Sequence, residues 1–93
     1  MARLEESEVD RRLRQLPDWS RSGEAITRDF ACGDFAGSVE LVNRLTPVAE
    51  EMNHHPDLTI SWSRLTVTIS THSEGGLTAA DFELARRIDE LAH

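Results

Sequence analysis

Three of the four histidines in this 93-residue chain, His54, His55 and His72, are the side chains best suited to chemistry, with Glu50 as a nearby acid. The chain contains no lysine and no tyrosine, which excludes Schiff-base catalysis and phenolic acids and leaves proton work to imidazole and carboxylate. Imidazole titrates near a pKa of about 6.5, so a site with several rings holds one neutral and another protonated at neutral pH. Base and acid are then present together, and positioned proton transfer of this kind contributes roughly 10²–10⁴-fold in rate. His54 and His55 are adjacent and precede Pro56 in the stretch "EEMNHHPDL". Read alone, that stretch is better explained as a polar loop that turns the chain. Glu50, four residues before His54, lies on the same side of a helix end and biases a ring toward its charged form, although a solvated acid beside Glu51 explains it as well. Metal binding fits less well, because adjacent histidines on an extended segment point apart and no zinc-type spacing is present. No metal is expected.

The elements that would position these residues follow from periodicity. Val9, Leu13 and Leu16 recur at helical spacing, Ser7 and Asp10 resemble a capping box and Pro17 closes the segment, which predicts a helix over 5–16. A hairpin is expected next, with Ser22 and Gly23 at its turn and Trp19, Ile26, Phe30 and Cys32 on its strands. Asp34 is a good N-cap for a second helix whose apolar stripe runs Phe35, Val39, Val42, Leu45, Val48, Met52. Pro47 inside it predicts a bend. Leu58, Ile60 and Trp62, then Leu65, Val67 and Ile69, alternate with polar residues as two half-buried strands. A turn at Ser63 and Arg64 pairs Trp62 with Leu65, Ile60 with Val67 and Leu58 with Ile69, all on one face. Continued to the strand ends, this register sets His55 opposite His72 with His54 diagonal to it, whereas His93 is simply the C-terminus. Thr78 caps the last helix with Asp81 at its third position, Leu77 staples onto Phe82, and Phe82, Ala85, Ile88 and Leu91 form the buried stripe. The fold class is therefore α+β: a four-stranded antiparallel sheet with three helices on one face, in the order α-β-β-α-β-β-α.

Composition narrows the function further. One domain over 1–93 is expected from length. Net charge is −7, from seventeen acids and ten bases, and the densest basic run, Arg11, Arg12 and Arg14, is flanked by Glu5, Glu6, Glu8 and Asp10, so nucleic acid is not an expected partner. The single Cys32 excludes an internal disulfide and points to a reducing, cytoplasmic setting. No apolar run approaches the roughly 20 residues of a membrane span, and the N-terminus lacks the core of a signal peptide.

The pattern Glu50-x3-His54-His55-Pro56-x5-Trp62-x9-His72-x8-Asp81 resembles the signature of the pterin-4a-carbinolamine dehydratases, and the resemblance extends through "THSEGGLT" and "DFELARRIDELA" and back through "RDFACGDF". It covers nearly the whole chain from about residue 4. It implies a four-stranded antiparallel sheet backed by three helices, assembly as a homo-dimer or homo-tetramer, and dehydration of a 4a-hydroxytetrahydropterin to quinonoid dihydropterin in pterin recycling, with no cofactor. By the same resemblance His54 and His72 are the acid–base pair and His55 holds the pterin, with Glu50, Pro56 and Asp81 as further substrate-site positions. For Asp81 the helix cap is by itself a sufficient reason, and Trp62 reads as core. Some relatives carry tryptophan at the Leu58 position. Because mammalian relatives also serve as dimerisation partners of a homeodomain transcription factor, a non-catalytic binding or assembly module on the same fold is the alternative.

Overall fold

Hydrophobic alternation in three of the four strand segments gives one apolar and one polar sheet face, and the helices cover the apolar one. The structure, a computed structural model, describes residues 2–92, so His93 lies outside the described residues. The elements are α1 (Glu6–Arg14), β1 (Ser20–Ser22), β2 (Ala25–Ala31), α2 (Phe35–Met52), β3 (Asp57–Ser61), β4 (Arg64–Ile69), a short 3₁₀ turn (His72–Glu74) and α3 (Ala79–Leu91). Every strand pairing is antiparallel and the sheet order is β1-β2-β4-β3. Leu65, Val67 and Ile69 on β4 and Ile26 and Phe30 on β2 are buried with Val9, Leu41, Leu45, Leu77, Leu84, Ala85 and Ile88 from the helical layer. On the opposite face Thr27 and Thr68 join their hydroxyls at 3.2 Å and Thr66 donates to Asp29 at 2.7 Å.

The helix boundaries differ from expectation at the N-terminus. Glu5, not Ser7, is the N-cap of α1, and it makes no side-chain cap bond. Glu8 instead binds Arg11 and Arg12, and the chain closes through short turns, Gln15 N–H to Arg12 and Leu16 N–H to Leu13, both at 3.0 Å.

Helix α2 starts as expected, with Asp34 Oδ1 accepting from Gly37 N–H at 2.7 Å. It runs unbroken to Met52. Pro47 does not split it, because Pro47 and Asn43, whose carbonyl loses its helical partner, are both exposed and open to water. The buried stripe is rotated from the expected one. Ser38, Leu41, Leu45 and Ala49 face the sheet, while Phe35 stays 60% exposed and Val39 is also exposed. Two apolar stripes share this helix, and the one that avoids the bulky Phe35 packs inward. Close approach requires Gly37, since a Cβ there would stand 2.1 Å from the Cys32 carbonyl oxygen.

The β3–β4 hairpin also corrects the expectation. Its pairs are Leu58 with Val67, Ile60 with Leu65 and Ser61 with Arg64, so the turn is Trp62-Ser63 and not Ser63-Arg64. The register slips by two residues, which preserves the apolar face because side chains alternate with period two. Trp62 pays no part in the core: it is 83% exposed and takes a left-handed φ of 55°. The buried Ser38 hydroxyl donates to the Trp62 carbonyl at 3.0 Å and fixes that conformation from beneath.

Candidate active site

Asn53 ends α2 in the left-handed region (φ 48°, ψ 43°), with its N–H on the Glu50 carbonyl at 3.1 Å and the His54 N–H on the Ala49 carbonyl at 3.0 Å. Asparagine tolerates this conformation better than most residues, and the sharp exit aims the histidine pair away from the helix axis. His54 turns inward, with its side chain 15% exposed and Nε2 2.6 Å from Asp81 Oδ1. His55 turns outward, with its side chain 56% exposed and Nε2 2.6 Å from Glu50 Oε2. Pro56 follows, half-buried, and stiffens the entry to β3.

Asp81 is the centre of the arrangement and has 0% exposure. As the third residue of α3 it accepts the Thr78 backbone N–H on Oδ2 at 2.8 Å, the helix-capping bond foreseen from the sequence. Beyond that, Thr71 Oγ1 lies 2.9 Å from both carboxylate oxygens. Since the one hydroxyl proton of Thr71 goes to the carboxylate, the 3.0 Å contact between the Thr71 and Thr78 hydroxyls has Thr78 as donor. His54 on Oδ1 completes the set. Among the described residues no buried side-chain polar atom lacks a partner. A carboxylate without exposed surface does not touch a ligand, so Asp81 holds His54 in place and is not itself a binding surface.

His72 opens the 3₁₀ turn after β4, where it is exposed with Nε2 3.1 Å from Ser70 Oγ. The expected cross-strand contact of His55 with His72 does not form. The ladder stops at Asp57 and Thr68, and in the observed register Ser70, not His72, would extend opposite His55. The two segments are joined by another route: His54 and Thr71, the neighbour of His72, meet on Asp81. Sequence reasoning missed Thr71 altogether, and it put Asp81 at the site only through the family resemblance, its spacing showing no more than a helix cap. The available signal was a buried position for an acid three residues into an amphipathic helix. His72 lines a cleft of about 290 Å³ with Ser70, Thr71, Glu24, Ala25 and the pair Gly75-Gly76, a lining that includes neither His54 nor His55. Among the described residues no group of three or more His, Cys, Asp or Glu side chains is placed to hold a metal ion. No helix of the described residues is long and apolar enough to cross a membrane.

A family model described as pterin 4 alpha carbinolamine dehydratase matches residues 2–91. The chain belongs to this family. A relative from Nocardia farcinica, named "Putative pterin-4-alpha-carbinolamine dehydratase", is 47% identical over 89 residues, 96% of this chain and 94% of its own. One of the same name from Sulfolobus acidocaldarius is 43% identical over 89 residues, covering 96% and 98%. A crystal structure from Brucella melitensis, described as a transcriptional coactivator/pterin dehydratase, superposes with a TM-score of 0.93 at 38% identity over 98% of this chain and 99% of that one. A pterin dehydratase-like protein identified as a RuBisCO assembly factor in the alpha-carboxysome shares the fold, with a TM-score of 0.65 at 23% identity over 80% of this chain and 86% of its own. The family fold, a four-stranded antiparallel sheet with three helices, is the one expected from the sequence.

Proposed function

We propose that the chain is a hydro-lyase that removes water from a 4a-hydroxytetrahydropterin, with His54 and His72 as the acid–base pair and His55 as the histidine that holds the pterin. Asp81 carries this assignment: it engages the His54 ring at 2.6 Å and, through Thr71, the segment that bears His72. With Nε2–H of His54 donated to the carboxylate, Nδ1 is the ring atom left to accept a proton. His54 then takes the proton from N5 of the substrate, and His72 protonates the hydroxyl at C4a. The C4a–O bond breaks, water leaves, a C4a–N5 double bond forms and the product is quinonoid dihydropterin. Electrons balance without a redox partner. Glu50 orients His55 through their 2.6 Å contact, and Pro56 limits the freedom of the histidine pair. The single cysteine is compatible with a cytoplasmic setting.

A homo-dimer or homo-tetramer belongs to the proposal, since Phe35, Val39, Leu58 and Trp62 are large apolar side chains left exposed and β3 is an edge strand. The same exposed set favours the second reading, a non-catalytic assembly module on this fold. The two separate in one assay. Freshly generated carbinolamine is mixed with the protein and quinonoid dihydropterin is followed by absorbance: acceleration over the spontaneous dehydration supports the lyase, and a rate equal to the spontaneous one removes it in favour of the assembly role.

A further inference from the structure

The cleft beside His72 has one wall that neither proton transfer nor the fold explains. Ala25, Gly75 and Gly76 leave it without bulky side chains, and Glu24 supplies the one carboxylate of its lining. That carboxylate lies across the backbone of Gly76: a Cβ at position 76 would stand 2.7 Å from Glu24 Oε2. Its ion pair with Arg21 is long, at 3.9 Å, so its oxygens retain capacity to accept hydrogen bonds. The His72 imidazole lines the same cleft. The cleft thus holds an acceptor-only group and a proton-transfer group among small residues.

We infer that Glu24 determines substrate specificity by receiving the amino-pyrimidine edge of the heterocycle while His72 works at its reacting ring. The inference rests on the pterin reading above. A 2-amino-4-oxopyrimidine presents an amino N–H and the neighbouring ring N–H side by side, the same fork that a guanidinium offers a carboxylate, and charge-assisted pairs of this kind are the strong ones. A ring with a carbonyl in place of the amino group turns lone pairs toward the carboxylate and is repelled, which gives discrimination by an unfavourable contact as well as a favourable one.

The test compares binding of biopterin and of the lumazine with the same side chain, which carries a 2-oxo group in place of the amino group, by fluorescence titration. The wild-type chain should prefer the pterin, and Glu24→Gln should weaken pterin binding about tenfold and bring the preference close to one. Gly76→Ala should act in the same direction without touching the carboxylate chemically, because its Cβ displaces flexible Glu24 and Arg3 side chains and not backbone. In turnover, Glu24→Gln should raise KM by a similar factor with a much smaller fall in kcat. Glu24 is exposed, so folding should survive its replacement, and a thermal melt checks this. Wild-type discrimination retained in Glu24→Gln, with dehydration intact in the parent, overturns the role of Glu24 alone. A parent that neither binds biopterin nor dehydrates the carbinolamine overturns the pterin reading along with it.

Discussion

His54 Nε2 and Asp81 Oδ1 stand 2.6 Å apart, one ring at the end of α2 and one carboxylate in the first turn of α3. The contact does two things at once: it selects the ring tautomer and it fastens the histidine loop to a helix terminus. Asp81→Asn keeps an acceptor for His54 but also introduces an amide donor, and the carboxylate charge is lost. We expect kcat to fall roughly 10²-fold with a smaller change in KM, within the range of positioned acid–base catalysis. A pH–rate profile distinguishes this from simple loosening, because the acidic limb, the one set by the general base, should move. Asp81→Ala also removes the partner of Thr78 N–H and should cost about 1–3 kcal/mol of stability.

The two rings given chemical roles should respond differently from the third. His54→Ala and His72→Ala are expected to lower kcat by about 10²–10⁴-fold. His55→Ala, on an exposed ring paired with an exposed Glu50, should act mainly on KM. Steady-state kinetics with fresh carbinolamine reads both parameters, and three variants with unchanged kcat and KM would remove the catalytic roles.

How far these positions were legible in the sequence depended on which physical signal carried them. Period-two alternation from Leu58 to Ile69 fixed the apolar face of the hairpin, and Val67 is fully buried as that pattern requires. Alternation is blind to a slip of two residues, so the turn was misplaced and Trp62 was assigned to the core. No propensity rule puts a bulky aromatic at positive φ; the two-residue turn places Trp62 there, and Ser38 on another element bonds its carbonyl. Helix α2 carried two apolar stripes, and only packing selects between them. Convergence of the histidine segments was expected from strand pairing, yet it is produced by Asp81 and Thr71, whose link spans two elements and leaves no local pattern.

Trp62 predicts a stabilising replacement. A non-glycine residue with φ near 55° carries steric strain of about 1–2 kcal/mol, and an exposed side chain recovers little of it by packing. Trp62→Gly should therefore raise the melting temperature of the dilute chain by a few degrees. A lower melting temperature would show that Trp62 is covered in solution, and size-exclusion chromatography of the same variant would reveal a change of assembly.

Gly37 predicts the reverse. Its α-carbon lies where any Cβ would fall 2.1 Å from the Cys32 carbonyl oxygen, and backbone cannot swing aside as a flexible side chain does. Gly37→Ala should cost on the order of 1–3 kcal/mol, the usual penalty of forced overpacking, despite the better helix propensity of alanine. Chemical denaturation measures it, and a neutral or stabilising result would mean that α2 is free to shift away from the β2 exit.

Acid dependence of stability should trace to a motif that occurs on two helices. Glu83 is clamped by hydrogen bonds from Arg86, then Arg87, and its pKa is held down from the ordinary 4.5 to about 2; Glu8 is lowered to about 2 by Arg11 and Arg12 in the same spacing on α1. For a carboxyl whose folded pKa lies below its unfolded value, the stabilising contribution is complete above about pH 4.5 and is lost as the pH falls toward 2. Glu83→Gln should lower the melting temperature slightly near neutral pH, and the gap from the parent should close between those limits. The effect is small because the pair is exposed, and about 1 M salt, with a Debye length of about 3 Å, should shrink it further. Melts of both chains across that pH range check the sign: a gap that stays constant down to pH 2 would mean that the arginine clamp contributes through packing of its methylene stems and not through charge.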